Sequence, residues 1–400
     1  MASPSAAISD PESGTMSSAR PAPSKRGAID PFFVMEVMKA AAAREAAGGD
    51  VIHMEVGQPS TPAPRKAIEA ATAAMQRDPL GYTLALGIPE LRAAISRHYR
   101  SYYGLDVPAH RIVVTTGSSA GFQLAFLSAF DAGDTVALGE PAYPAYRNIL
   151  KALDLNPAMI VTEPETRFQP TPDLINAQAP QAKGVLVASP ANPTGTMLGD
   201  AEMKALVDDC AARGRWLIVD EIYHGITYNG RAQSVLALTD QAIVINSFSK
   251  YFSMTGWRLG WMVVPESLLR PIECLTQNFY ISAPGISQVA GVAALDAYEE
   301  LEGNVARYAK NREILLNELP AAGFDRLAPA DGAFYLYADI SRFTNDANDF
   351  CQRMLAETGI AATPGFDFDR GRGHYFMRYS FAGSTERMIE AAKRLKDWRK

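Results

Sequence analysis

The 400-residue chain holds only three cysteines, Cys210, Cys274 and Cys351. They are scattered, odd in number and without C-x-x-C spacing. That excludes a disulfide framework and a structural zinc site, and it fits a reducing cytoplasm. An excess of positive charge is also missing. The formal net charge is -6, so nothing in the balance invites nucleic acid or an anionic membrane. No apolar run approaches the roughly 18–20 residues of a membrane span. The five histidines (53, 98, 110, 224 and 374) show no metal-ligand spacing. No repeat period is visible. Residues 1–26, MASPSAAISDPESGTMSSARPAPSKR, almost lack large apolar side chains and have no hydrophobic signal region. They read as a disordered tail.

What is present describes an ordinary globular protein, 48% hydrophobic and 20% charged. The length is too great for one simple core, which predicts two units. From about residue 110 to 265, β-rich runs alternate with helical stretches. The runs are 111–116, 134–139, 157–162, 184–189, 215–220, 241–247 and 260–265. Most are apolar at consecutive positions, the pattern of strands buried on both faces. The expectation is an α/β unit: a mostly parallel seven-stranded sheet sandwiched by helices. Beyond it come a long helix over 297–319, two β-like runs at 333–340 and 374–382, and a last helix from near Ser384. These read as a smaller α+β unit. The expected boundaries are 27–61 for a segment packing with the small unit, 62–290 for the large unit and 291–400 for the small one.

Ligands of open parallel sheets bind outside the carboxyl ends of the strands. The residues standing there are GSSAG after the first run, EPAYPAY after the second, PANPTG after the fourth, Asp220 with EIYHG after the fifth, and FSK after the sixth. Each has an ordinary reading. Lys250 is a solvated charge, Arg258 stacks between its two tryptophans, Asp220 caps the next helix and NPTG is a turn. Taken together they gather a nucleophilic lysine, a carboxylate, a phenol, an amide and a guanidinium at one crevice. A cofactor with a carbonyl, a ring nitrogen, a phenolic oxygen and a phosphate uses all five, and pyridoxal 5'-phosphate has that chemistry.

The motifs YTLALGIPELR (82–92), EPAYPAY (140–146), NPTG (192–195), DEIYHG (220–225), SFSKYFSMTGWRLGW (247–261) and MRYSFA (377–382) occur in this order. In them the chain resembles the fold-type I pyridoxal phosphate-dependent aminotransferases, within the aspartate aminotransferase superfamily, from about residue 27 to the end. The resemblance implies that Lys250 forms the internal Schiff base and shuttles a proton between substrate Cα and the cofactor. It implies that Asp220 pairs with the pyridine nitrogen, and that Tyr223 and Asn192 bond the ring's phenolic oxygen. Tyr143 would stack on the ring. Ser118, Ser119, Ser247 and Arg258 would hold the phosphate. Tyr82 would reach the phosphate of a neighbouring subunit, which makes the expected state a homodimer with shared active sites. Arg378 would clamp the substrate α-carboxylate, with the Gly57 backbone and Asn192 close by. No metal is expected.

The loop PGFDFDRGRGHYFMR departs from the family pattern at Asp369 and in its extra pair Arg370 and Arg372. These read as solvated loop charges. GQPS, from Gly57, also departs, which leaves side-chain recognition near residue 60 open. Two other readings remain. GSSAG fits a nucleophile elbow, with Ser119 as nucleophile and His374 as base of a serine hydrolase. A carbon–sulfur lyase on the same scaffold would share every residue named above.

Overall fold

The computed structural model describes residues 22–398. The reading of a disordered tail therefore falls, for residues 1–21, outside the described residues. Twelve strands occur among the described residues. β1 is Ile52–His53 and β2 Ile112–Thr115. β3 is Thr135–Glu140, β4 Asn156–Val161, β5 Gly184–Ala188 and β6 Trp216–Asp220. β7 is Ile243–Ser247 and β8 Gly260–Val263. The last four are β9 (Tyr335–Asp339), β10 (Ile360–Ala361), β11 (Thr363–Pro364) and β12 (Phe376–Ser380).

Seven of them form one sheet in the order β2-β8-β7-β6-β5-β3-β4. Each falls within a residue or two of an apolar run of the sequence. β8 runs antiparallel to both β2 and β7, and the remaining pairs are parallel. Every residue of β2, β7 and β8 is buried. Helices cover both faces, as consecutive burial requires. Helix Ser118–Ala129 packs on β7 and β8 from one side. Helix Asp200–Arg213 leads into β6 and stops at Gly214, whose φ of 63° closes the helix in the left-handed region that glycine adopts without strain.

The end of the chain builds a three-stranded antiparallel sheet, β11-β12-β9. The long helix spans Tyr298–Glu318 and packs on the last helix, Thr385–Trp398. β1 pairs in parallel with β10, Ile52 opposite Ile360, and the Ser380 N–H donates to the Met54 carbonyl at 2.6 Å. Residues near the start of the chain are thereby stitched to residues near its end.

Helix Phe33–Ala46 lies just before β1 in the chain. Its first N–H groups, from Phe33 and Val34, point at the carboxylate of Asp367 at 3.5 and 3.4 Å. An acidic group at a helix N-terminus satisfies donors that have no partner within the helix. The loop that supplies Asp367 differs from expectation. Asp369 is only 2% exposed, and its carboxylate accepts the N–H groups of Gly371 and Arg372 and pairs with the Arg372 guanidinium at 2.8 Å. Arg372 also meets Glu163, and Arg370 meets Asp30, each at 2.7 Å. Asp369 and Arg372 thus form a structural ion pair that shapes the loop, whereas Arg370 stays exposed, as expected of a solvated loop charge.

Candidate active site

A cavity of roughly 820 Å³ opens at the carboxyl ends of β5, β6 and β7, between the large sheet and the β11-β12-β9 sheet. Lys250 enters from the turn after β7. The Ser247 hydroxyl fixes that turn: it accepts the Ser249 N–H at 3.0 Å and lies 3.1 Å from the Leu259 carbonyl. The Lys250 ammonium donates to the Gly57 carbonyl at 2.5 Å. Burial pushes its pKa down to about 8. Arg378 and Arg258 add to the depression, while Asp220 opposes it. A lysine held near that value has a sizeable neutral fraction at physiological pH, and the neutral amine is a nucleophile and a base.

Asp220 ends β6. Its carboxylate accepts from the Tyr146 hydroxyl and from the Ile222 N–H, the latter at 3.0 Å. Burial pushes its pKa up to about 6, against the pull of those two donors and of Lys250. Tyr223, three residues on, is buried with its hydroxyl 2.6 Å from that of Tyr335. Tyr143 stands at the start of helix Pro144–Ala152 and meets Phe32 edge-on, ring centroids 5.8 Å apart.

Anion-binding donors collect at another wall. Helix Ser118–Ala129 begins with Ser118 and Ser119, both on the cavity, after Gly117 at a φ of 77°. A Cβ on Gly117 would lie 2.5 Å from Nη2 of Arg258, so the glycine lets the guanidinium sit against the helix N-terminus. Gly260 of β8 is equally confined: its Cβ would lie 3.0 Å from the Ser118 nitrogen. Free N–H groups, two hydroxyls and one guanidinium at a helix start suit a phosphate.

Across the cavity, Arg378 of β12 is 4% exposed. Its Nη1 donates to Oδ1 of Asn192 at 2.8 Å and its Nη2 to the Glu55 carbonyl at 2.5 Å. Its Nε is buried without a partner. A buried guanidinium nitrogen in that state marks a position for an anion. The Arg378 Cζ lies 4.4 Å from the ring centroid of Tyr335 and 4.8 Å from that of Phe368. Asn192 reaches this place from the loop after β5, which the Gly195 N–H closes on the Ala191 carbonyl at 2.8 Å. The donor set fits pyridoxal phosphate: an amine of lowered pKa, a buried carboxylate, a phenol, a phosphate cradle and an unmet guanidinium surround one space.

The structure thus brings together Lys250, Asp220, Tyr223, Tyr143, Asn192, Ser118, Ser119, Arg258, Gly57 and Arg378. Ser247 is not on the wall. Its hydroxyl is engaged within the turn, and Ser249 lines the cavity instead. Tyr82 is not on the wall of its own chain's cavity either, and it is 85% exposed. Sequence reasoning passed over Tyr146 and Ser249, gave Tyr335 no polar role, and missed the apolar rim made by Phe32, Val34, Met35 and Met38 around helix Phe33–Ala46. Tyr146 carried a signal, since it shares EPAYPAY with Tyr143 one helical turn apart. Among the described residues, no hydrogen bond joins Ser119 to a histidine, and no group of three or more His, Cys, Asp or Glu side chains has the arrangement of a metal site.

With the geometry in hand, comparison with known proteins is direct. Residues 49–395 match the family model for "Aminotransferase class I and II". The valine–pyruvate aminotransferase of Mycobacterium tuberculosis is 50% identical over 93% of this chain and 97% of its own. The crystal structure of an aminotransferase from Mycobacterium tuberculosis superposes with a TM-score of 0.93 at 49% identity, covering 94% of this chain and 99% of that one. A putative aminotransferase from Silicibacter pomeroyi gives 0.90 at 50% identity, with the same coverage.

Proposed function

The chain belongs to the class I and II aminotransferases, and on that premise we propose that it uses pyridoxal 5'-phosphate to take the amino group from an L-amino acid with an apolar side chain. That it is a transaminase, passing an amino group to a 2-oxo acid, follows from the family. The observation that carries the finer reading is one cavity holding the depressed Lys250 amine, the Asp220 carboxylate, a helix N-terminus with Arg258, and the unmet Nε of Arg378.

When bound, the cofactor supplies an aldehyde for Lys250 and a cationic ring that withdraws electrons from substrate Cα. The chain's residues do the rest. Ser118, Ser119 and Arg258 hold the phosphate. Asp220 keeps a proton on the ring nitrogen, because a carboxylate beside it favours the charged form. The Tyr223 hydroxyl and the Asn192 amide donate to the phenolic oxygen, and Tyr143 covers the ring. Lys250 Nζ is the attachment point, and once released it takes the proton from substrate Cα. Its neutral form at about pH 8 suits that task. Arg378 offers Nε and an Nη to the substrate α-carboxylate as a fork, with the Gly57 backbone beside it. The amino donor's side chain then faces Val34, Met35, Met38 and Val56. Among the described residues the cavity's cations are Lys250, Arg258 and Arg378. The relative at 50% identity, a valine–pyruvate aminotransferase, supports the same donor class.

The working unit is a homodimer with shared sites. Tyr82 and Leu84 are 85% and 62% exposed, beside Phe279 and Ile281 at 54% and 43%. The bond from Thr83 N–H to Ser282 Oγ holds the two segments together. Such an apolar patch suits a protein partner. A cytoplasmic setting agrees with the three free cysteines; among the described residues no helix is long and apolar enough to cross a membrane.

The test is a half-reaction. Valine, leucine, alanine, phenylalanine and aspartate are mixed singly with the purified protein, and loss of the bound cofactor's visible absorbance is followed. Aliphatic donors are expected to react fastest and Lys250→Ala not at all. A protein that stays colourless with added cofactor sinks the cofactor reading, and fastest reaction with aspartate sinks the donor class. Keto acid formed in step with a new amino acid separates transamination from lyase chemistry.

A further inference from the structure

Tyr335, on β9, bridges two groups with separate duties. Its hydroxyl meets that of Tyr223, and its ring lies against the Arg378 guanidinium. It also occupies the place where a side chain on residue 57 would stand: a Cβ there would lie 2.9 Å from Cζ of Tyr335 and nearer still to Oη. Tyr335 is 1% exposed. A phenol that only filled space at this depth would be better replaced by phenylalanine, since a buried hydroxyl needs a partner.

Among the described residues the Tyr335 hydroxyl makes one hydrogen bond, the one to Tyr223 at 2.6 Å. Either oxygen of the pair can be the donor, and both residues line the cavity. With Tyr335 donating, Tyr223 Oη accepts and keeps its own proton for a group in the cavity. A hydroxyl that accepts a hydrogen bond is polarised into a better donor. We propose that Tyr335 is a positioning residue: it donates to Tyr223 and so aims the Tyr223 proton at the phenolic oxygen of the cofactor. Its ring, separately, gives Arg378 a flat face.

The inference rests on the cofactor assignment above, and the test distinguishes the two. The pH midpoint of the bound cofactor's visible absorbance is measured for the wild type, Tyr335→Phe, Tyr223→Phe and the double variant. A donor to the deprotonated oxygen favours that form and lowers the midpoint. Loss of the Tyr335 hydroxyl weakens the donor, so Tyr335→Phe raises the midpoint. The expected rise is roughly half a pH unit, a fraction of one charge-assisted bond. In the Tyr223→Phe background the rise disappears, because the two act in series. The KM for the amino donor stays near the wild-type value in Tyr335→Phe, which keeps the ring, and increases in Tyr335→Leu, which does not. Should the phenylalanine chain fail to fold, difluorotyrosine at 335, a stronger donor, replaces it and moves the midpoint down. An unmoved midpoint, or one that moves equally without the Tyr223 hydroxyl, overturns the inference. A wild type with no pH-dependent visible band overturns the cofactor assignment instead.

Discussion

Replacing Gly57 by alanine tests how tightly the site is built. Carbon atoms rest about 3.5–4.0 Å apart, and the new methyl would lie 2.9 Å from Tyr335 Cζ and closer to Oη. The Tyr335 hydroxyl has to retreat by more than about 1 Å, yet the residue is wedged between Arg378 and Tyr223 and almost wholly buried. Overpacking of this kind costs about 1–3 kcal/mol, and losing the Tyr223 bond adds about 1 kcal/mol. Whatever part of the clash is relieved by residue 57 itself moving carries its carbonyl away from the Lys250 amine it accepts from. A misplacement of that size at a reacting group lowers the rate on the order of a hundredfold. The assays are a melting curve and the half-reaction under saturating donor. Gly57→Ala is expected to melt several degrees lower and to react about a hundredfold more slowly. Adding Tyr335→Phe removes the atom in closest conflict and leaves Cζ, so part of the melting loss returns. An alanine chain with the wild-type melting temperature and rate would refute the steric reasoning, and so would a double variant that recovers nothing.

Two further outcomes follow from the same geometry. Arg378→Lys keeps the charge and loses the planar fork; the KM for the amino donor is expected to rise about 10–100-fold with kcat falling less, and an unchanged KM would remove Arg378 from the carboxylate site. The cofactor-free protein should take up pyridoxal phosphate faster as pH rises through about 8, because only the neutral Lys250 amine attacks and its pKa is held down to that range. Appearance of visible absorbance reports the rate, and a profile flat from about pH 6 to about pH 10 would contradict it.

The large sheet was legible because its strands are apolar at consecutive positions, and burial on both faces leaves no polar alternation to mislead. The direction of β8 was not: nothing in GWMVVP separates a strand that runs with its neighbours from one that runs against them, since that is decided by the path of the chain between β7 and β8. Two-residue strands such as β1, β10 and β11 have no period to read. At the cavity, residues at strand ends were foreseeable from topology alone, Lys250 and Asp220 above all. Tyr335 and the rim around helix Phe33–Ala46 were not, because they reach the cavity from distant parts of the chain, and one buried tyrosine in AFYLYADI looks like the next. The ion pairs of Asp369 with Arg372 and of Arg370 with Asp30 escaped notice for a related reason: a charge in a loop shows its partner only after folding.

The stitching of Met54 to Ser380, and of Glu55 to Arg378, has a bearing on biosynthesis. A ribosome releases Gly57 long before Arg378. The large sheet, whose strands all lie between residues 112 and 263, has its sequence complete well before then, in keeping with folding that proceeds from the N-terminal side during translation. A nascent polypeptide therefore carries its lysine for a long interval without the arginine that would hold a substrate against it. The complete set of site residues waits for residue 378, and a nonsense codon anywhere before that position yields a product without it.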